Sequence, residues 1–175
     1  MKNTAFLFFF SGLLAISSAA LQFDVGVSQW NRIALSENTL LACPGGELFG
    51  AFPVSPHVYL RLSAYGGLWF GTAIGGEASA MYEWRRNSWI PMAGGGVYAG
   101  YEDVLFHTTD SYSYIPPDSF GAGLMLHLKP FRWKSRQNQV SLAGISIGTD
   151  FRHLFNIINY DIRIIEISHT FGGAE

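Results

Sequence analysis

Residues 68–85, LWFGTAIGGEASAMYEWR, decide the fold, because two kinds of side chain alternate along the whole stretch. One set is uncharged and includes Ile74, whereas the other set mixes small residues with Glu77, Glu83 and Arg85. A period of two residues indicates a β-strand with two different faces. At 18 residues, the alternation is much longer than the roughly five or six residues of an ordinary soluble strand.

Seven further segments alternate in the same way, so the sequence predicts eight strands. These segments are residues 21–28, 58–65, 89–101, 103–109, 119–129, 139–151 and 158–171. Gly66-Gly67 predicts a tight turn between the second and third strands. The alternation slips near Ala143-Gly144, where we expect a β-bulge, and again near Ile164-Ile165.

Residues 31–52 lack a clear alternation and are expected to form the first long loop. The segment contains Cys43, the single cysteine of the chain. Cys43 is expected to be either a free thiol or buried among Leu40, Leu41 and Leu48. One cysteine excludes a disulfide scaffold and zinc sites built from paired cysteines.

Charge is scarce, at 14% of residues against about 25% in a typical globular protein. Aromatic residues reach 15%, and the formal net charge is -2. The aromatic content and low charge exclude a disordered chain. The absence of net positive charge argues against a nucleic-acid binder.

The first 20 residues have the layout of a cleaved secretory signal peptide. Lys2 precedes an apolar run over residues 5–16, and the small residues Ser18 and Ala20 fit the cleavage positions. The alternative, a membrane-anchoring helix, needs about 20 apolar residues. Residues 21–175 are therefore expected to be the mature chain and a single domain.

Short connections between the strands predict an all-β fold, an eight-stranded antiparallel up-and-down transmembrane β-barrel. A soluble lipocalin-like barrel is the alternative, and its apolar face would point inward. That barrel requires a charged outer surface, for which this chain has too few charges. Eight strands leave an interior only wide enough for side chains, so no large aqueous pore is expected.

The charged face of each predicted strand would line this narrow lumen. By strand parity, seven charged side chains point inward: Asp24, Arg61, Glu77, Glu83, Arg85, Lys129 and Glu166. An unpaired buried charge is costly, so we expect a paired network in which Arg61 reaches Glu77 diagonally or through a relay. The residues expected to fill the remaining space are Trp69, Met81, Tyr98 and Met125.

Aromatic residues gather near the ends of the predicted strands, as in the belts at the two membrane–water interfaces. The residues expected in these belts are Trp30, Tyr65, Trp69, Trp84, Trp89, Tyr101, Phe131, Trp133 and Phe171. For any single member, burial in a core is the alternative.

Residues 21–171 resemble the small eight-stranded outer-membrane barrels of Gram-negative-type bacteria. In that family the last strand ends in an aromatic residue that the barrel-assembly machinery reads, and Ile165, Ile167, His169 and Phe171 are similar to this signal. The chain departs from the pattern by continuing through residues 172–175 and by placing His169 two residues before the aromatic. The resemblance implies an outer-membrane location, with membrane lipids and the assembly machinery as partners.

Some small outer-membrane barrels are lipid A deacylases, which use a His and a Ser two residues apart on one strand face. None of the five histidines here is followed by Ser at that spacing; they are His57, His107, His127, His153 and His169. No metal-ligand spacing or phosphate-binding glycine motif is present either. The sequence therefore predicts neither an enzyme nor a cofactor.

The predicted function is structural, or surface interaction through outward loops at residues 31–52, 86–88, 110–118 and 153–156. Two alternatives stay open: an uptake route for small apolar molecules, and a lipid A-modifying hydrolase. The sequence identifies no extracellular ligand.

One basic cluster is expected at the end that holds both chain termini, which is the periplasmic side. It comprises Lys129, Arg132, Lys134 and Arg136, with Trp133 among them. The cluster is either a solvated turn or a contact for lipid phosphates.

Overall fold

The computed structural model describes residues 22–36, 39–69, 71–103, 119–151 and 158–172. They form nine strands: β1 (Phe23–Ser36), β2 (Thr39–Ser55), β3 (Val58–Leu68), β4 (Thr72–Glu83), β5 (Met92–Asp103), β6 (Ser119–Lys129), β7 (Phe131–Ser135), β8 (Asn138–Asp150) and β9 (Ile158–Phe171). No helix in this part of the chain is long and apolar enough to cross a membrane. The predicted signal peptide, residues 1–20, lies outside the described residues and stays a prediction.

All neighbouring strands are antiparallel, and the sheet closes on itself because β6 pairs with β8. The short β7 follows β6 after Pro130 and continues along the same neighbour, so that β6 pairs with one half of β8 and β7 with the other. β6 and β7 together therefore occupy one position in the wall. The result is an eight-stranded up-and-down β-barrel, which confirms the predicted fold class.

The expectation of a long loop at residues 31–52 is wrong. β1 continues to Ser36 and pairs with β2 from Asp24↔Ala51 to Ser36↔Thr39. The alternation of β2 is not visible in the sequence because Gly46 and Gly50 stand on its outward face, where the alternation would place large apolar residues. The predicted fifth strand is also wrong at its start, since Asp103 ends β5; residues 104–109 lie outside the described residues.

Gly66-Gly67 does not form the expected tight turn. Both glycines lie within β3, where they pair with Gly46 and Gly45 of β2. The turn comes later, and β4 begins at Thr72. Backbones approach closely here: a Cβ atom on Gly67 would lie 3.1 Å from the Trp30 ring.

The barrel has two ends, which we name by the chain. The terminal end holds Phe23 and Phe171 together with the connections 56–57, 84–91 and 136–137. The distal end holds the opposite ends of the strands, at Leu68, Thr72 and Asp103 among others. Because β2 was not expected, the predicted direction of the next three strands, at residues 58–65, 68–85 and 89–101, is reversed. The turn at residues 86–88 therefore lies at the terminal end and not among the outward loops. The turn with Arg136 lies at the terminal end, as expected.

The predicted slips in β8 and β9 are confirmed, and they face each other. Leu142 and Ala143 are both exposed, as are Ile164 and Ile165 on the paired strand. Ala143 has a left-handed φ of 54°. The register of β8 with β9 is the same on both sides of it, from Leu142↔Ile165 to Gly144↔Arg163, so the expected β-bulge, which needs an extra residue on one strand, is wrong at this pair. The slip turns Arg163 inward while Glu166 also stays inward.

The polarity of the barrel is opposite to that of a soluble protein. Large apolar side chains cover the outer face, among them Val27, Leu62, Ile74, Leu126 and Ile147, each about half exposed or more. Arg32, Glu77 and Asp161 are buried inside. Soluble proteins rarely expose a continuous apolar face of this extent to water, so this outer face fits a hydrocarbon surrounding.

We predict that Gly96→Ala destabilises the barrel by about 1–3 kcal/mol, the usual cost of overpacking. A Cβ atom there would lie 2.5 Å from Ser79 Cβ and against the Ala78 carbonyl oxygen. Gly66→Ala is the matched control, because its nearest atom would be 3.9 Å away. Urea unfolding in lipid vesicles measures both; equal stabilities would contradict the packing at Gly96.

Candidate functional site: the charged lumen

The interior of the barrel contains most of the charge of the described chain. Of the seven charges predicted to point inward, the structure buries six: Asp24, Arg61, Glu77, Glu83, Lys129 and Glu166. The seventh, Arg85, lies at the terminal mouth with half of its side chain exposed. Its hydrogen bond to Glu83 raises the pKa of the Arg85 guanidinium.

The buried charges form three layers along the lumen, and Arg163 lies at the centre of the middle layer. Its Nε and Nη2 donate to the two carboxylate oxygens of Glu47 at 2.6 and 3.1 Å, and Nη2 lies 3.4 Å from Glu77. Nη1 donates to Ser146 Oγ at 2.6 Å. One guanidinium therefore connects β9 to three other strands, β2, β4 and β8, because its planar fork carries several donors.

Arg61 and Lys129 complete the middle layer. Arg61 lies 3.1 Å from Glu47 and 3.0 Å from Glu166, and Lys129 lies 2.6 Å from Glu166. The Arg61 guanidinium also covers the Phe49 ring at 3.6 Å, a favourable cation–π arrangement. Arg61 reaches Glu77 through the relay Glu47–Arg163.

A second layer closes the terminal end. Arg132 pairs with Glu83 at 2.6 Å and donates to Gln139. Gln139 in turn donates to Asp24 at 3.0 Å, and Thr170 donates to the same carboxylate at 2.7 Å. Arg132 thus points into the barrel, and the expectation of a fully solvated basic turn is wrong for this residue.

The distal cluster, which comprises Trp30, Arg32, Tyr65, Tyr98, Glu102 and Asp161, closes the other end. Arg32 donates to both oxygens of Asp161 at 2.7 and 2.9 Å and to Glu102 at 2.5 Å. The three aromatic rings surround its guanidinium, with centroids 4.7–5.1 Å away. Arg32 is fully buried, so the cluster encloses its guanidinium within the lumen at this level.

Two of the predicted interface aromatics are inside the barrel instead. Trp30 and Tyr65 are buried and stack at 4.6 Å, because their strand parity is that of the inward charges. Trp69 is exposed at the distal end, so its assignment as a lumen filler is wrong; Met81, Tyr98 and Met125 are buried. The remaining aromatics lie on the outer face or are part-buried there: Trp84, Trp89, Tyr101, Phe131, Trp133 and Phe171.

His127 lies between a serine and a carboxylate, as in a hydrolase triad. Its Nδ1 is 2.7 Å from Ser146 Oγ, and its Nε2 is 2.9 Å from Glu77 Oε1. The spacing search missed this group because His127 and Ser146 face each other on β6 and β8. All three side chains are buried, and Arg163 also donates to the serine oxygen, so the arrangement fits a structural role.

Cys43 is a free thiol that points into the barrel from β2. Leu48, one of its expected neighbours, faces outward instead. Among the described residues, no group of three or more His, Cys, Asp and Glu side chains is arranged to hold a metal ion.

No protein-family model matches the chain, and no curated protein sequence matches it. Several solved structures are similar, and three of them are described here. Neisserial surface protein A has a TM-score of 0.58 at 14% identity, covering 85% of this chain and 97% of that chain. Ail, the attachment invasion locus protein of Yersinia pestis, has 0.56 at 8%, covering 87% and 99%. OprG from Pseudomonas aeruginosa has 0.53 at 10%, covering 89% and 98%.

These likenesses concern the fold, since the sequence identities are low. The chain has the fold of the small eight-stranded outer-membrane β-barrels. The apolar outer face and the charged interior fit that class on physical grounds, because charge on the lipid face would cost about 2–4 kcal/mol per Arg or Lys at mid-bilayer.

We predict that Arg163→Met destabilises the barrel by about 3–5 kcal/mol, because it removes a shared partner of two buried carboxylates. Arg86→Met, at an exposed turn, is the control and should change stability by less than about 0.5 kcal/mol. Urea unfolding followed by tryptophan fluorescence measures the difference. An Arg163→Met barrel as stable as the control would contradict the network.

Proposed function

We propose that the protein is an integral outer-membrane β-barrel whose interior is closed and whose role is structural or surface interaction at its distal end. The short connections of the terminal end would face the periplasm, and the longer connections would face outward, as is usual for such barrels. The longest interval between two strands, residues 104–118, separates the distal ends of β5 and β6. The barrel is then a rigid anchor for contacts made outside the membrane.

One observation carries this proposal: ion pairs and hydrogen bonds occupy the lumen at three successive levels. A solute would have to separate Arg32 from Asp161, Arg163 from Glu47 and Arg132 from Glu83. Breaking a buried pair leaves an uncompensated charge, at a cost of about 3–5 kcal/mol each. The network therefore favours a closed scaffold over a channel.

The two alternatives have weaker support. An uptake route for apolar molecules needs an apolar path on the distal side, where Arg32, Glu102 and Asp161 lie instead. A hydrolase needs substrate to reach Ser146, which is 1% exposed. Neisserial surface protein A and the attachment invasion locus protein Ail share this fold, and their names support a surface role.

We predict that the mature protein fractionates with the outer membrane and resists extraction by salt, because its apolar outer face is buried in lipid. Unheated samples should migrate differently from boiled samples in detergent gels, since the closed barrel stays folded. Recovery of a soluble periplasmic monomer would overturn the membrane assignment.

We also predict that the purified protein in planar lipid bilayers produces no long-lived conductance of porin size, because eight strands enclose only side chains. A 16-stranded porin reconstituted in the same way is the positive control, and heat-dependent migration verifies that the test protein is folded. Stable porin-like steps from the folded protein would contradict a closed lumen.

A further inference from the structure

The exposed charge of the described chain is divided between the two ends. Among the described residues, the cations whose side chains reach the surface all lie at the terminal end. We name them the basic rim: Arg85, Arg86, Lys134 and Arg136. The described acids at this end, Asp24 and Glu83, are buried in the lumen and paired. The basic rim therefore has no exposed described carboxylate beside it.

Two separate turns are held together to form this rim. The backbone N–H of Ile90 donates to the Arg132 carbonyl at 2.8 Å, and that of Lys134 donates to the Ser88 carbonyl at 2.9 Å. Trp89 Nε1 donates to the Pro130 carbonyl at 2.8 Å. The segment before β5 thus extends the β7–β8 hairpin, and the cations of both turns share one fixed surface.

Exposed aromatic rings lie next to the rim on the outer wall. Trp84 precedes Arg85, Trp89 lies between the two turns, and Trp133 precedes Lys134. The side chains of Trp84, Trp89 and Trp133 are 38–47% exposed. Tryptophan favours the headgroup level of a bilayer, so the adjacent cations lie at the depth of the lipid phosphates.

We propose that the basic rim binds the headgroups of acidic phospholipids in the leaflet that meets the terminal end. Guanidinium groups match phosphate geometry through paired N–H donors, and the neighbouring tryptophans contact the acyl chains. This proposal rests on the membrane-spanning barrel proposed above and adds a lipid class and a binding surface to it.

The test uses the full mature chain reconstituted in phosphatidylcholine vesicles that contain either brominated phosphatidylglycerol or brominated phosphatidylcholine. Bromine quenches tryptophan fluorescence on contact, and three of the five tryptophans adjoin the rim. We expect stronger quenching by the brominated phosphatidylglycerol at low ionic strength. Each cation near an anionic surface strengthens binding by about fivefold, so R86Q/K134Q/R136Q should reduce the preference by at least about tenfold.

The variant R86K/R136K is the matched control, since it keeps the charges and should keep most of the preference. Equal quenching of the native protein by the two brominated lipids would overturn the proposal, as would an unchanged preference in the triple glutamine variant. Loss of the preference on adding inorganic phosphate, but not sodium chloride of equal ionic strength, would identify a free-anion site instead. Absence of quenching by either lipid would reject the membrane-spanning barrel itself.

Discussion

The contact of Arg163 with Glu47 and Glu77 is the interaction on which the interior depends. A lumen this narrow admits little water, so each buried charge needs a partner within the protein. Arg163 meets this requirement for carboxylates of β2 and β4 from its position on β9. The remaining ion pairs meet the same requirement for the buried charges toward both ends of the barrel. The apolar outer wall is the complement of this arrangement, because it leaves the charged side chains no other surface to occupy.

The sequence was sufficient for the inward face of β4, since Glu77, Glu83 and their small neighbours alternate without interruption. It was insufficient for Glu47, because glycines on the outward face of β2 remove the apolar partner of the alternation. Arg163 was hidden for another reason: the slip at Ile164-Ile165 changes the parity of β9 between Arg163 and Glu166. The sequence pattern indicates that slip, but it does not indicate on which side of the slip the charged side chains point inward.

The predicted number of strands is correct because two errors cancel: β2 was not expected, and a separate strand was expected to begin at Asp103, where β5 ends. The two errors have different consequences. Omitting β2 reversed the expected direction of the next three strands, up to the predicted fifth strand, and so assigned the turn at residues 86–88 to the wrong end. The face assignments along β4 were unaffected, because alternation depends only on neighbours within a strand. Which face of a strand points inward therefore depends on the local sequence, whereas the direction in which the strand runs depends on the order of all the strands. The ion-pair partners also depend on the order of all the strands, because each pair requires the correct neighbours across the barrel.

The seam between β1 and β9 joins the two ends of the chain, and the pairing of charges in the lumen depends on it. Arg32 and Asp161, which face each other across this seam, are 129 positions apart in the chain, and Glu47 and Arg163 are 116 apart. A curled but unsealed sheet would hold these groups apart, with their charges uncompensated next to hydrocarbon. A partly closed sheet is thereby disfavoured in a bilayer, because its buried ion pairs form only when the ring closes.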